Sequence, residues 1–222
     1  MAWLFNKKTY PDYWNQYLNY FEDNSKKTLQ SSRFVALDTE TTGFNYDLDR
    51  LLCIGAISIT NNEMAVADAF EVYIKQERFN PNTVKIHGLI HNTKIKTVSE
   101  ETAIIAFLEY IKDSVLVAHH AEFDITMINV ALKRLGLPKL KNKVLDTMDL
   151  YAKTRIKSNL ISQNKNYSLD EIAEDYSINL CDRHTAAGDA LITAIIFLKT
   201  SQMLNKSKGF ELKSLFIKSN RF

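Results

Sequence analysis

Phe34-Val-Ala-Leu-Asp38-Thr-Glu40-Thr-Thr-Gly43 is the stretch on which the reading of this chain turns. The apolar run 34–37 predicts a short buried strand. Two carboxylates follow it at i and i+2. Side chains alternate along a strand, so Asp38 and Glu40 point to the same side of its end. Like charges placed so close repel, and nothing in the local sequence neutralises them. A hard divalent cation would, because Mg2+ prefers carboxylate oxygens and retained waters. A lone Asp-x-Glu pair reads equally well as a solvated strand end entering a turn, so its meaning depends on what else converges on it.

Working outward, Leu51–Ile59 and Met64–Ile74 predict two more strands, with Asn61-Asn62 as the turn between them. Thr97-Val-Ser-Glu100 reads as a capping box that opens a helix running to about Lys112. Val115–Ala118 is a fourth strand. The spacing of Phe123, Met127, Val130, Ala131 and Leu135 predicts a helix over 122–135, closed by Gly136 and Pro138. Val144-Leu145 is a short fifth strand, Ser168-Leu-Asp-Glu171 a second capping box, and a last helix spans about Thr185 to Leu198. Three strands in succession, then strands alternating with helices, predict an α/β domain with a mixed sheet and helices over its faces. Before the first strand, Tyr10, Trp14, Tyr17 and Tyr20/Phe21 share one helical face, either packed on the domain or docking a partner. This gives an N-terminal helical extension over 1–32, a main domain over 33–200 and a basic tail over 201–222.

Composition agrees with one globular domain. Of 222 residues, 45% are hydrophobic and 24% charged, and only 6 Gly and 3 Pro leave little room for long flexible linkers. The net charge of +2 does not by itself mark a nucleic-acid binder; distribution matters more. Basic residues gather at Lys133, Arg134, Lys139, Lys141, Lys143, Lys153, Arg155 and Lys157, and again at Lys199, Lys206, Lys208, Lys213, Lys218 and Arg221. Either group is a solvated surface or a track for a phosphate backbone. Cys53 and Cys181 are far apart and form no C-x-x-C, which excludes the common zinc and redox motifs. No signal-peptide core opens the chain and no apolar run approaches a membrane span, so a reducing cytoplasm and no membrane partner are expected.

Two further elements carry acids. In Val117-Ala-His119-His120-Ala-Glu-Phe123-Asp124, a strand ends and Asp124 falls in the first turn of the next helix. In Arg183-His184-Thr-Ala-Ala-Gly188-Asp189, Asp189 lies one turn into the last helix with His184 just before it. An acid near a helix N-terminus is favoured by the macrodipole, so each alone reads as an ordinary terminal acid. The small residues Ala186, Ala187 and Gly188 would let another backbone approach. If Asp189 is carried to the sheet end bearing Asp38 and Asp124, four converging carboxylates need cations to hold them. Two divalent ions side by side are what phosphodiester hydrolysis uses.

DTETTG, HHAEFD and HTAAGDA, in that order, resemble the three motifs of the DnaQ-like (DEDDh) 3′–5′ exonucleases, and in particular the epsilon, proofreading type of bacterial DNA polymerase III. The likeness spans about residues 33–200. It implies an RNase H-like fold with a five-stranded mixed sheet flanked by helices. Asp38, Glu40, Asp124 and Asp189 resemble the metal ligands, and His184 the general base that activates the attacking water. Ile86-His87-Gly88-Leu89 resembles the family's V-H-G-I segment, where His87 serves either substrate contact or packing. Leu145-Asp146-Thr147 is a weaker likeness. Two departures stand out: His120 replaces the usual Asn of the second motif, and Cys53 occupies a place where epsilon-type relatives often carry Glu.

The resemblance implies two metal ions, Mg2+ or Mn2+, one held by Asp38, Glu40 and Asp189 and the other by Asp38 and Asp124. Thr41, Thr42 and Gly43 would hold the terminal nucleotide through backbone groups. Phe44 would stack on a base or pack in the core. The expected partner is a DNA 3′ end, preferably single-stranded, with RNA possible. A DNA polymerase or sliding clamp is a further possible partner; Glu211-Leu-Lys-Ser-Leu215-Phe216 resembles a clamp-binding peptide only faintly and reads better as a packed or disordered tail.

Overall fold

The computed structural model describes residues 9–22, 27–76, 95–155, 166–206 and 210–217. The first apolar run grows into an eight-residue strand, β1 (Phe34–Thr41), which carries Asp38 and Glu40 inside it rather than beyond it. It extends because β2 (Leu51–Thr60) pairs with it antiparallel along its whole length, setting Asp38 opposite Gly55 and Glu40 opposite Cys53. Asn61 and Asn62 both adopt positive φ (54° and 63°) at the expected turn, a conformation Asn tolerates better than most residues.

The third expected strand is not continuous. It divides into β3 (Glu63–Met64), a 3-10 turn over Val66–Asp68, and β4 (Phe70–Ile74). Ala65, Val66, Ala67, Asp68 and Ala69 supply neither alternation nor β-branched bulk beyond one Val, so the ladder has little to hold there. Downstream, Thr97–Val98 forms a two-residue strand, β5, parallel to β4. The helix cap is therefore Ser99 and not Thr97: its side chain accepts from the Thr102 N–H, and α2 (Glu100–Ile111) follows, α1 being the N-terminal helix Asp12–Asn19. β6 (Val115–Ala118) and β7 (Val144–Asp146) lie parallel to each other and to β1.

Among the described residues the sheet order is β5-β4-β2-β1-β6-β7, with β3 beside β2. The five expected strands form its body, and two-residue pairings at β3 and β5 add to it. Helix α3 (Glu122–Arg134) follows β6, α4 (Thr147–Thr154) follows β7, and α5 (Leu169–Asp175), α6 (Ala186–Leu204) and α7 (Leu212–Leu215) complete the chain. Ser168 closes the expected capping box with Glu171. Helix α4 went unread because its sequence, TMDLYAKT, spans barely two turns.

The alternation of β1 divides the core. Val35 and Leu37 face the cluster built by α1, α2 and α3; Phe34 and Ala36 face the one built by α6 and α7. Helix α1 is packed on the domain: Trp14 and Tyr17 are each only 1% exposed. The Tyr17 hydroxyl donates to Asn142 Oδ1 (2.6 Å) and accepts from the Lys141 N–H (2.8 Å), and burial pushes its pKa up to about 12. Leu215 is buried and Phe216 packs beside it, so the apolar residues of the clamp-like segment are spent on the core. No helix among the described residues is long and apolar enough to cross a membrane.

Candidate active site

β1 presents three functional groups on two faces. Asp38 and Glu40 share the face of Phe34 and Ala36, toward α6. Thr39 points the other way, where its N–H and hydroxyl both donate to Asp124 Oδ1, at 3.0 and 2.7 Å. Asp124 is buried in the first turn of α3, so two short neutral hydrogen bonds fix it against the strand that carries the other acids. Asp189 arrives from the opposite side, in the first turn of α6. That helix is capped by Thr185, whose hydroxyl accepts from the Gly188 N–H (3.1 Å).

The close approach expected at Ala186–Gly188 is made against Gly55, the residue paired with Asp38. A Cβ at Gly55 would fall inside contact with the backbone of Ala186 and Ala187. A Cβ at Gly188 would likewise strike the Asp182 carbonyl. The two glycines therefore set how near Asp189 comes to β1.

The four carboxylates feel one another. Burial, then Asp124, Asp189 and Glu40, raise the Asp38 pKa well above the carboxylate range. Burial, then Asp189 and Asp124, push Glu40 up to about 7. Burial lifts Asp124 to about 7 against the lowering effect of its Thr39 hydrogen bonds. Asp189 is raised by burial and pulled back by Arg183. The Arg183 guanidinium bonds Asp189 Oδ2 through Nη1 and lowers Asp38 and Glu40 as well. Asp189 Oδ1 is buried with no hydrogen-bond partner. His184 is exposed in the turn before α6, with φ of 67°, and its Nδ1 lies 3.4 Å from Arg183 Nη1.

The donor set suits a hard divalent cation. All four groups are carboxylates, they destabilise each other's charge, and one buried oxygen lacks a partner. Among the described residues no three acids, cysteines or histidines stand close enough to hold an ion as they are. Thr39 holds Asp124 and Arg183 holds Asp189.

Of the substrate-binding expectations, His87 lies outside the described residues. Thr41 and Thr42 are buried and already occupied: Thr41 Oγ1 donates to the Gly43 carbonyl (2.8 Å), and the Thr42 N–H donates to the Arg50 carbonyl (2.9 Å). The Thr42 N–H is thus committed to the loop itself. Asp49 folds under Gly43, where a Cβ would meet its carboxylate. Phe44 is 73% exposed, which removes the core alternative; its ring lies 5.6 Å from that of Phe123, and Tyr46 lies 5.9 Å from Phe123 on the same patch.

Two neighbours, Thr39 and Arg183, were not singled out from sequence. Thr39 is hidden as the x of Asp-x-Glu, although alternation already aims it at the opposite face. Arg183 stands beside a recognised motif residue, yet its partners, Asp170 and Asp189, are set by folding. Asp146 caps α4 through the Met148 N–H (2.9 Å) and also accepts from the Ala121 N–H (2.9 Å), tying β7 to the turn that leads to Asp124. His119 and His120 form an edge-on pair; His119 bonds Thr147 Oγ1 (2.9 Å), and burial with the neighbouring His120 lowers its pKa to about 4. Cys53 is buried opposite Glu40 and its thiol is pushed up by burial. In the basic segment, Arg134 pairs with Glu100, Arg155 with Asp175, and Lys153 donates to the Leu215 carbonyl.

The profile of the exonuclease family matches residues 35–197. The chain belongs to that family. The exonuclease span contains Asp38, Glu40, Asp124, His184 and Asp189, while α1 and α7 lie outside it. Among curated proteins, the chain is 36% identical over 183 residues to the PolC-type DNA polymerase III of Caldanaerobacter subterraneus subsp. tengcongensis, covering 82% of this chain and 12% of that protein. Its identity to the PolC-type enzyme of Staphylococcus aureus is 27% over 179 residues, 80% of this chain and again 12% of the other. The chain thus spans about an eighth of the length of these relatives. In fold, this exonuclease-family chain is similar to E. coli exonuclease I in complex with a dT13 oligonucleotide (TM-score 0.67, 16% identity, 79% of this chain and 42% of that one). It is similar also to exonuclease X in complex with 5′ overhanging duplex DNA (TM-score 0.59, 19% identity, 82% and 96%). The mixed sheet flanked by helices is RNase H-like, and the DnaQ-like resemblance read from the three motifs stands.

Proposed function

We propose that the protein is a 3′–5′ exonuclease that hydrolyses the terminal phosphodiester of single-stranded DNA with two divalent ions, Mg2+ or Mn2+, and releases nucleoside 5′-monophosphates. The observation that carries this reading is the convergence of Asp38, Glu40, Asp124 and Asp189 from three separate elements, with His184 exposed beside Asp189. Four mutually repelling acids are costly to a fold, and a family whose substrate is a phosphodiester gives them a use. When bound by these four residues, the ions supply Lewis acidity at the scissile phosphate and a water acidic enough to attack near neutral pH. His184 accepts the proton of that water. Thr39 keeps Asp124 on the strand, and the cap at Thr185 with the glycine contact at Gly55 keeps Asp189 in reach. Phe44, Tyr46 and Phe123 offer ring faces to a terminal base, whose stacking on aromatics is tolerant of sequence.

We propose further that residues 33–200 form the exonuclease unit, with 1–32 and 201–222 as extensions. A proofreading or repair role beside a polymerase is supported by the PolC-type relatives. A clamp contact through 211–216 is not proposed, because Leu215 is buried.

The test is a pair of oligonucleotides of one sequence, DNA and RNA, labelled at the 5′ end and incubated with Mg2+ or Mn2+. Stepwise shortening of the DNA from its 3′ end is expected, slowed on a blunt duplex because the last base must unpair at a cost of a few kcal/mol. Faster loss of the RNA would make this an RNA-trimming enzyme. Nicking of a circular single strand at a similar rate would remove the requirement for an end.

A further inference from the structure

Arg183 stands where the acids most need a positive charge. Its Nε donates to Asp170 Oδ1 (2.7 Å) on α5, its Nη1 bonds Asp189 Oδ2 on α6, and it also lies beside His184. Asp182 and His184, on either side of it, both have positive φ (58° and 67°), so the turn directs this side chain back toward α6. The two ion pairs differ. Asp170 is 52% exposed as a side chain, whereas Asp189 is 8% exposed and keeps its second oxygen, Oδ1, buried without a partner. One oxygen of the Asp189 carboxylate is therefore held by an arginine, and the other is buried without a hydrogen-bond partner.

We propose that Arg183 is a built-in counter-cation, which neutralises Asp189 in the metal-free protein and competes electrostatically with a divalent ion for that carboxylate. The proposal rests on the reading of the four acids as metal ligands. A guanidinium on Oδ2 and a divalent ion on Oδ1 would satisfy the same electrostatic need and repel each other, so each weakens the other's hold. Asp170, on the outer side, holds the same guanidinium, so Arg183 stays anchored when its hold on Asp189 weakens. Arg183 is in this sense a positioning residue: it holds Asp189 and the start of α6 near β1 when no ion does so, and it lowers metal affinity as a result.

The experiment measures Mn2+ binding directly, by the loss of the free-ion electron paramagnetic resonance signal, on wild type, Arg183→Gln and Arg183→Lys. Melting temperatures are taken in chelator and in saturating Mn2+. Arg183→Gln is expected to bind Mn2+ about 5–10-fold more tightly and to melt lower in chelator, with a larger gain on adding Mn2+. Arg183→Lys keeps a charge but cannot bridge both acids, and should fall between. Should Arg183→Gln fail to fold, Arg183→Lys carries the test, since an ammonium that cannot bridge Asp170 and Asp189 competes less well and Mn2+ affinity should rise. Equal or weaker Mn2+ binding in the folded variant overturns the proposal. Absence of Mn2+ binding in wild type and all variants overturns the metal reading beneath it instead.

Discussion

Asp124 and Asp189 have the same chemical group and the same motif standing, yet the protein holds them by opposite means. Asp124 is fixed by two neutral donors of Thr39, from a strand that cannot move without breaking the sheet. Asp189 is held by one charged, partly exposed side chain and keeps an unpaired oxygen. Neutral hydrogen bonds position a carboxylate without cancelling its charge; an arginine cancels the charge but is exchangeable. The proposed site therefore joins an acid fixed by neutral donors to one paired with a cation.

The strongest way to break this comparison is to neutralise each acid in turn. Asp124→Asn and Asp189→Asn should each lower hydrolysis by on the order of 10³-fold or more, the several kcal/mol of charge stabilisation a metal ligand set provides. Their metal-free stabilities should separate. Asp124→Asn removes a buried charge and keeps an acceptor for Thr39, so its melting temperature in chelator at pH 8 should rise. Asp189→Asn removes one of the two acids that Arg183 holds and should show no such rise. Identical shifts would erase the difference between the two ligands.

Next on the Asp189 side, His184→Ala should lower turnover by about 10²–10⁴-fold, the usual worth of a general base, with Mn2+ binding little changed. Near-normal turnover would take His184 out of the mechanism. Gly55→Ala tests how α6 is seated: the added methyl meets the backbone of Ala186, and a loss of roughly 1–3 kcal/mol in unfolding free energy is expected from chemical denaturation. Activity should fall with it, because Asp189 recedes from β1. A stable, active Gly55→Ala would show that the helix has room to spare.

Acidity sharpens the contrast further. Folding raises Glu40 from 4.5 to about 7 and Asp124 from 3.8 to about 7. Groups raised in this way contribute stability fully below their unfolded values, and that stability is lost as pH climbs through about 7. In chelator the melting temperature should therefore fall by on the order of 5–10 °C between pH 5 and pH 8, and saturating Mg2+ should flatten the slope. A metal-free protein equally stable at both ends would contradict the clustered acids. The smallest effect is expected at Thr39→Val, which removes one donor to Asp124 and should cost about 1 kcal/mol.

Much of this was readable before folding. The period of two in a strand is a covalent fact, so Asp38 and Glu40 had to share a side once 34–41 was extended, and Thr39 had to face away. The box at Ser168–Glu171, the small residues before Asp189 and the paired Asn turn are equally local in cause. What escaped had a non-local cause. The short β5 and the seat of β4 between it and β2 depend on which neighbour each strand meets. That Thr42 would spend its N–H on Arg50, and Phe44 stand exposed, depended on how the loop closes.

The sequence by itself determined which acids exist, which of them share a strand face and where the helices that carry the others begin, because those follow from backbone period and capping chemistry within a few residues. Tertiary structure alone decided that Thr39 would grip Asp124 across 85 positions, that Gly55 would admit α6, and that Arg183 would sit between Asp170 and Asp189. Those contacts join side chains from separate elements, and their geometry is fixed only when the sheet and its helices pack.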